Sequence, residues 1–451
     1  MTSELLTPTD SVRHTTRCSI LDPMLMYVTS SIAFCYRERL DTARLRESLA
    51  QVLGRYGGYA GRLLRERGNW LIEHGVGGAR FETAHVEESS ATMGAVALAK
   101  DSRGVCPRIS ALGVMRGKEP LFAARISQTS DGTVVGITVN HAIGDAYSSM
   151  LLMRAWALAY RGEAYDLPFD VEDRGAYLRE HLPPPAAELK HWRLLSWSDC
   201  WRNYLYQFWG TRPKRRIVLP FSANDVTEIH GVASRGTSVT PHDALSAHVF
   251  LTLQRLLGSD AGPCCGVAIN YRQRLGLPAN LLGNMSDTVA ARTDECSDTA
   301  AVAVALRKSI KAVGTGPMSY PELERLRATH PRLLHQIRYW NASWQPCRVN
   351  LILTNVAGLK YYDLVFGSTR PVFVHARGMD QDATVGLGTI APGPDGGVTV
   401  DIVLPGRWAE PAMREHGRPA LAVLRDNERS PRPASTDGTA DPTAVAPAAP
   451  M

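Results

Sequence analysis

A Pro- and Trp-rich stretch at residues 161–215 sets the main limit on what this chain can fold into. It holds the run Pro183-Pro184-Pro185, the tryptophans Trp192, Trp197, Trp201 and Trp209 with Trp156 just before them, and the basic cluster Lys214-Arg215-Arg216. The segments on either side read as mixed helix and strand, so this stretch reads as a crossover between two domains. Disordered chain avoids aromatics, so its Trp-rich part is expected to be packed. With 451 residues the chain is too long for one ordinary core. It suits two domains of roughly 150–200 residues. The expected organisation is an N-terminal domain at 1–164, a crossover at 165–215, a C-terminal domain at 216–416 and a tail at 417–451. The tail turns to Pro, Ala, Ser, Thr and Asp and is expected to be disordered.

Local patterns fill in both halves. Residues 24–36 are β-rich. Asp41 suits a helix N-cap, and Leu45, Leu49, Val52, Leu53 and Tyr56 follow on one helical face. Short strands are expected at Trp70-Leu71-Ile72 and Arg80-Phe81. Leu121–Ile126 and Thr133–Val139 read as two strands joined by a turn at Ser130-Asp131-Gly132. A helix is expected from near Asp145 to about Tyr160. In the second half Thr240-Pro241 reads as an N-cap followed by proline at the first helical position. Strands are expected at Val267–Asn270, Val349–Thr354, Val372–His375 and Val398–Leu404. The order lacks the regular alternation of a doubly wound sheet, which points to an α/β fold of the α+β type.

Composition excludes several functions. The formal net charge is +6, and no block of five Lys or Arg occurs, so nucleic-acid binding finds no support. No apolar run is long enough to span a membrane. The first residues lack the basic and apolar regions of a secretory leader, so a cytoplasmic protein is expected. Eight scattered cysteines fit neither a metal site nor a disulfide framework. There is no Gly-x-Ser-x-Gly elbow and no phosphate-binding Gly-Lys loop. Gly386–Ala391 matches a dinucleotide fingerprint but has no helix after it.

The chemistry centres on His141-Ala142-Ile143-Gly144-Asp145, which follows the strand ending at Val139. A histidine at a strand end, in a loop containing glycine, is placed to aim its side chain into a cleft. A neutral imidazole takes a proton from a hydroxyl or amine near neutral pH. Asp145 could orient that imidazole, or point away and lock the loop by pairing with an Arg. The bare pattern is too short to separate these roles from a plain turn histidine beside a helix-capping Asp.

The surrounding segments carry further information. The motif resembles the catalytic His-x-x-x-Asp of the BAHD acyltransferases, in the superfamily of chloramphenicol acetyltransferase and peptide-synthetase condensation domains. Cys18–Asp22, Leu49–Leu63, Ser238–His248, Asn270–Leu275 with Leu282-Gly283-Asn284, Leu353-Thr354-Asn355 and Tyr362–Pro371 also resemble family segments, in the family's order. The resemblance implies two chloramphenicol acetyltransferase-like domains with an active-site tunnel between them. It implies that His141 deprotonates an acceptor hydroxyl or amine, which attacks an acyl thioester without an acyl-enzyme. Asp145 would be structural and paired with Arg272, with Gly144 shaping the loop. Asn355, Thr354 and Gly367 are the candidates for contacting the donor or the oxyanion. No cofactor beyond the thioester co-substrate is implied, and a monomer acting on a small, secondary-metabolite acceptor is expected. One segment departs from the family. Its Asp-Phe-Gly-Trp-Gly reads Val365-Phe366-Gly367-Ser368-Thr369 here. That change leaves an acyl carrier protein as an alternative to free acyl-CoA. A repurposed member that binds or cyclises a metabolite is the remaining reading.

Overall fold

The computed structural model describes residues 1–416 apart from 11, 100–103, 235, 294–295, 297, 317, 331–336, 378–384 and 394–395. The expected tail at 417–451 lies outside the described residues. Two six-stranded sheets carry the fold. The first runs, in spatial order, through Thr2–Leu6, Ala79–His85, Phe122–Gln128, Thr133–Asn140, Thr29–Tyr36 and Phe373–Arg377. The second runs through Lys214–Phe221, Val398–Pro405, Leu387–Pro392, Val349–Asn355, Ala261–Asn270 and Ser286–Arg292. Most neighbours are antiparallel. Parallel pairs join Ala79–His85 to Phe122–Gln128, and Val349–Asn355 to both Ala261–Asn270 and Leu387–Pro392.

Helices cover the sheets where the apolar pattern requires. In the helix Thr42–Arg55, Asp41 accepts hydrogen bonds from the N–H groups of Ala43 and Arg44 at 2.9 and 3.2 Å, as an N-cap should. The stripe Leu45, Leu49, Val52 and Leu53 is fully buried against the first sheet and the helix Ala146–Arg161. Each such side chain contributes about 1.5–3 kcal/mol of burial. Trp156, fully buried on that second helix, donates its indole N–H to Leu45 O at 3.0 Å and fixes how the two helices meet. In the second half Thr240 and Asp243 form a capping box with Pro241 in the first turn, opening the helix Pro241–Leu257. Leu245, Val249 and Leu253 are buried there against the second sheet.

Two features differ from the sequence expectation. The strand Phe373–Arg377, from the second half, pairs with Thr29–Tyr36 at the edge of the first sheet. Tyr361, Tyr362, Leu364 and Phe366 follow it into the first core. Pairing across more than 300 residues leaves no local mark in the sequence. The second difference lies in the crossover. Ser196 caps a helix Trp197–Leu205 that continues as a π-helical turn, Tyr206–Gly210. Its aromatics were expected to be packed, yet Trp201 is 64% and Trp209 62% exposed. Tyr204, Phe208 and their neighbours pack on one another, with Tyr204 and Phe208 rings 4.4 Å apart, so the segment is ordered without joining a core. Trp192 alone of the four crossover tryptophans packs against the second core.

Candidate active site

The strand Thr133–Asn140 lies inside the first sheet with every residue buried. It delivers the chain to His141 at a fixed point. Asn140 then locks the exit: its amide donates to Met26 O at 2.8 Å and accepts from the Ala142 N–H at 3.0 Å. The His141 N–H donates to Val28 O. Gly144 is required by close approach. A Cβ there would lie 2.9 Å from the Ser148 Cβ and 3.3 Å from Gly283 O. The fully buried guanidinium of Arg174, from the crossover, donates to Ile143 O at 3.0 Å and lies 3.6 Å from Asp22.

Asp145 does not touch the imidazole; it closes the loop and ties the two halves together. It caps the helix Ala146–Arg161 by accepting from Ser148 N–H at 2.9 Å. Arg272, from the second half, donates to both of its carboxylate oxygens, at 2.8 and 3.2 Å. Ser148 O–H and Met285 N–H supply two further hydrogen bonds. Arg272 also donates to Leu281 O and Gly283 O, and its guanidinium stacks 4.9 Å from the Tyr147 ring. Burial alone would raise the carboxyl pKa of Asp145. The Arg272 charge and hydrogen bonds, with those from Ser148 and Met285, outweigh it and hold the pKa below the usual carboxylate value.

The partner of His141 is Asn284. The Nδ1 of His141 and the Oδ1 of Asn284 are 2.9 Å apart. The amide nitrogen of Asn284 is already committed, donating to Asp22 Oδ1 at 2.7 Å and to His141 O at 2.9 Å. Its oxygen therefore faces the ring and accepts from Nδ1–H, which assigns the lone pair to Nε2. Sequence reading gives Asn284 no such role. The available signal was that Asn284 lies in the Leu282-Gly283-Asn284 segment, which resembles the family.

His141 sits deep in the molecule, with part of its ring surface open to a cavity of about 460 Å³. Burial is the main influence on its titration and lowers its pKa from the ordinary 6.5. The Asp145 charge and the Asn284 hydrogen bond pull weakly the other way. The cavity runs between the two sheets. Val28, Val139 and Tyr361, all on the side of the first core, line it from one side, and Ile352, Thr354 and Thr389 line it from the second sheet.

The donor-side candidates separate. Thr354 lines the cavity. Asn355 does not: side chains alternate along a strand, so it points to the opposite face. There its amide lies 2.7 Å from the His242 ring and accepts from Ala357 N–H. Gly367 sits in a turn at φ +65° against Glu38, beside the buried Phe366, and is outside the cavity. Replacing Asn284 by alanine removes one hydrogen bond to the imidazole. It is expected to lower kcat about tenfold with a smaller change in KM. Steady-state kinetics with a fixed acceptor check this, and an unchanged kcat would remove Asn284 from the site.

Comparison with known proteins places the chain in a family. The family model described as the Transferase family matches residues 1–410. The chain belongs to this family, the BAHD acyltransferases. Among curated relatives, the BAHD chain is 27% identical over 305 residues to putrescine hydroxycinnamoyltransferase from Oryza sativa subsp. japonica, covering 59% of this chain and 64% of that one. It is 25% identical over 262 residues to an uncharacterised acetyltransferase of Arabidopsis thaliana, covering 52% and 55%. The match spans less than two thirds of the length of these relatives. Among solved structures, vinorine synthase superposes with a TM-score of 0.67 at 19% identity, covering 94% of this chain and 97% of that one. TRI101 from F. graminearum, complexed with coenzyme A and deoxynivalenol, gives 0.67 at 15% identity, covering 88% and 96%. At these identities the likeness concerns the fold. It places this chain with proteins of two-domain fold and mixed helix and sheet.

Proposed function

We propose that this acyltransferase moves an acyl group from acyl-CoA to a hydroxyl or amine of a small acceptor, with His141 Nε2 as general base. The observation that carries this reading is the Asn284 hydrogen bond to Nδ1, which leaves the other ring nitrogen unprotonated beside the cavity. The acceptor oxygen or nitrogen gives its proton to Nε2 and bonds to the acyl carbon. The C–S bond then breaks and the thiolate leaves, taking up the proton that His141 holds. Thr354 is positioned to contact the donor or the oxyanion; Asp145, Arg272 and Gly144 hold the loop. Proton transfer accounts for about 10²–10⁴-fold of the rate. Alignment of the two substrates in the cavity is worth up to about 7–11 kcal/mol.

Thiol release over a panel of acyl-CoAs, with and without alcohols and amines, tests the reaction. Acceptor-dependent thiol release from free acyl-CoA is the expected result. Its absence with every acyl-CoA, and its appearance with an acyl carrier protein, would reassign the donor. The pH profile follows from the depressed His141 pKa. Neutral imidazole is the active form, so the activity holds through neutral pH and is lost only as pH falls through a value below 6.5. A measured acid limb of kcat/KM above 6.5 would contradict the burial of the imidazole. A cytoplasmic monomer serving secondary metabolism remains part of the proposal. Among the described residues, no helix is long and apolar enough to cross a membrane.

A further inference from the structure

The helix that starts at Trp197 and runs on through the turn ending at Gly210 is built inside out. Trp197, Trp201, Tyr204, Leu205, Phe208 and Trp209 recur at i, i+4, i+7, i+8, i+11 and i+12, which sets them on one stripe. On a helix of a globular protein such a stripe ordinarily faces a core. Here all six residues are exposed, from 41% for Trp197 to 64% for Trp201. The polar side of the helix is turned toward the protein instead. Asn203 accepts from Cys347 N–H at 3.0 Å, and the Cys200 thiol lies 3.9 Å from Ile337 O. Cys200, Asn203, Tyr206 and Gln207 are all half-buried. The Ser196 hydroxyl accepts from Asp199 N–H at 3.0 Å and caps the helix, so the exposed stripe is held in a fixed shape.

The charges around the stripe select what can cover it. Between Arg193 and Arg215 the chain carries five Lys or Arg and one acid, Asp199. Arg193, Arg202 and Arg348 line a surface pocket beside the helix. Arg338 places its guanidinium 5.1 Å from the Trp197 ring. Asp199 is paired with Arg202 at 3.4 Å, and Asp260, whose charge reaches Tyr206, is paired with Arg407. The face is therefore aromatic along its middle and positive at its edge. Trp and Tyr favour the boundary between hydrocarbon and water, and each Lys or Arg held near an anionic lipid surface adds about fivefold in affinity. A second copy of the chain would instead have to set the same Arg cluster against this one across a two-fold interface. The segment has nine residues of α-helix and five of π-helical turn, short of the roughly 20 needed to span a bilayer. It suits a helix lying in the plane of the lipid surface.

We infer that this stripe docks the chain on an anionic phospholipid surface, with the aromatic side chains among the headgroups and the Arg cluster against lipid phosphates. The docked face adjoins the cavity. Arg193 donates to Trp344 O at 2.7 Å, and Trp344 lines the cavity together with Trp192 and Trp340. Docking thus holds that end of the cavity next to the lipid.

Co-sedimentation of the full chain with vesicles tests this without reference to turnover, so it stands or falls apart from the acyl-transfer reading. The vesicles are phosphatidylcholine alone, or phosphatidylcholine with one-third phosphatidylserine. The wild type is expected to bind the anionic vesicles at least about tenfold more tightly than the neutral ones, and to weaken as salt is added. The double variant Trp201→Ala/Trp209→Ala is expected to bind the anionic vesicles at least about tenfold less tightly. Both positions are exposed, so its melting curve should match the wild type. If that variant fails to fold, Arg202→Glu serves in its place, with weaker binding to anionic vesicles and unchanged binding to neutral ones as the expected result. No binding to anionic vesicles, or binding that survives these substitutions in a folded chain, overturns the inference. A dimer in gel filtration that Trp201→Ala/Trp209→Ala dissociates would assign the stripe to a second copy and overturn it as well. Capture of an acidic carrier protein by a chain that ignores the vesicles would do the same.

Discussion

Replacing His141 by alanine is expected to reduce acyl transfer about 100- to 10,000-fold while the chain stays folded. The size of the loss is set by what the ring does. Without Nε2, the acceptor must lose its proton to water inside a cavity bounded by Val28, Val139 and Ile352, where hydroxide is poorly solvated. The folded state should tolerate the change, because the loop is held by other groups. Asn140, Arg174 and Asp145 keep their own bonds to the backbone around it. Substrate affinity is expected to change little, so the loss appears in kcat. Circular dichroism and a melting curve close to wild type would confirm that chemistry, and not folding, has been removed.

Removing Arg272 is expected to act the opposite way, on stability first. Its guanidinium and the Asp145 carboxylate are both buried, with side-chain exposures of 2% and 8%. Deleting one partner of such a pair leaves the other's charge without compensation, at a cost of about 3–5 kcal/mol. That is a large part of the total stability of a typical domain, about 5–15 kcal/mol. The pair also joins the His141 loop to the 281–285 segment, through Leu281 O and Gly283 O. Arg272→Ala and Asp145→Ala should therefore lower the melting temperature and soluble yield alongside activity. The Asp145 carboxyl has a depressed pKa, so this stabilisation is present above the ordinary carboxylate pKa and fades as pH falls through the lower folded value. Acid should accordingly weaken the wild type and leave Asp145→Ala comparatively unaffected. An Asp145→Ala variant as stable as wild type but inactive would mean that the carboxylate works directly in the chemistry.

The parts of this fold that were legible in sequence are those fixed by neighbours in the chain. The stripe from Leu45 to Leu53, the caps at Asp41 and Thr240, and the strand–loop–helix around His141 follow from periodicity and capping alone. The pairing of Arg272 with Asp145 came from resemblance to a family, and the structure places the two in contact. What escaped was tertiary. Asn284 gains its meaning only when its amide is trapped between Asp22 and His141. Phe373–Arg377 joins a sheet formed by the other half of the chain. Asn355 and Thr354 are adjacent, yet a strand presents them to opposite faces, so only one could ever have met the donor. The crossover aromatics were expected to be packed because aromatic content argues against disorder; that argument does not say which surface the rings cover. Arg174 and Trp192 show the same limit from the other side. Both lie in a segment that reads as a connection, and both reach the site.

The most direct test of the account is the rate of acceptor-dependent thiol release by wild type and His141→Ala, with acyl-CoA binding measured on the same two preparations. The account predicts equal donor binding and a turnover at least about 100-fold lower in the variant. Near wild-type turnover in a folded His141→Ala chain would contradict it.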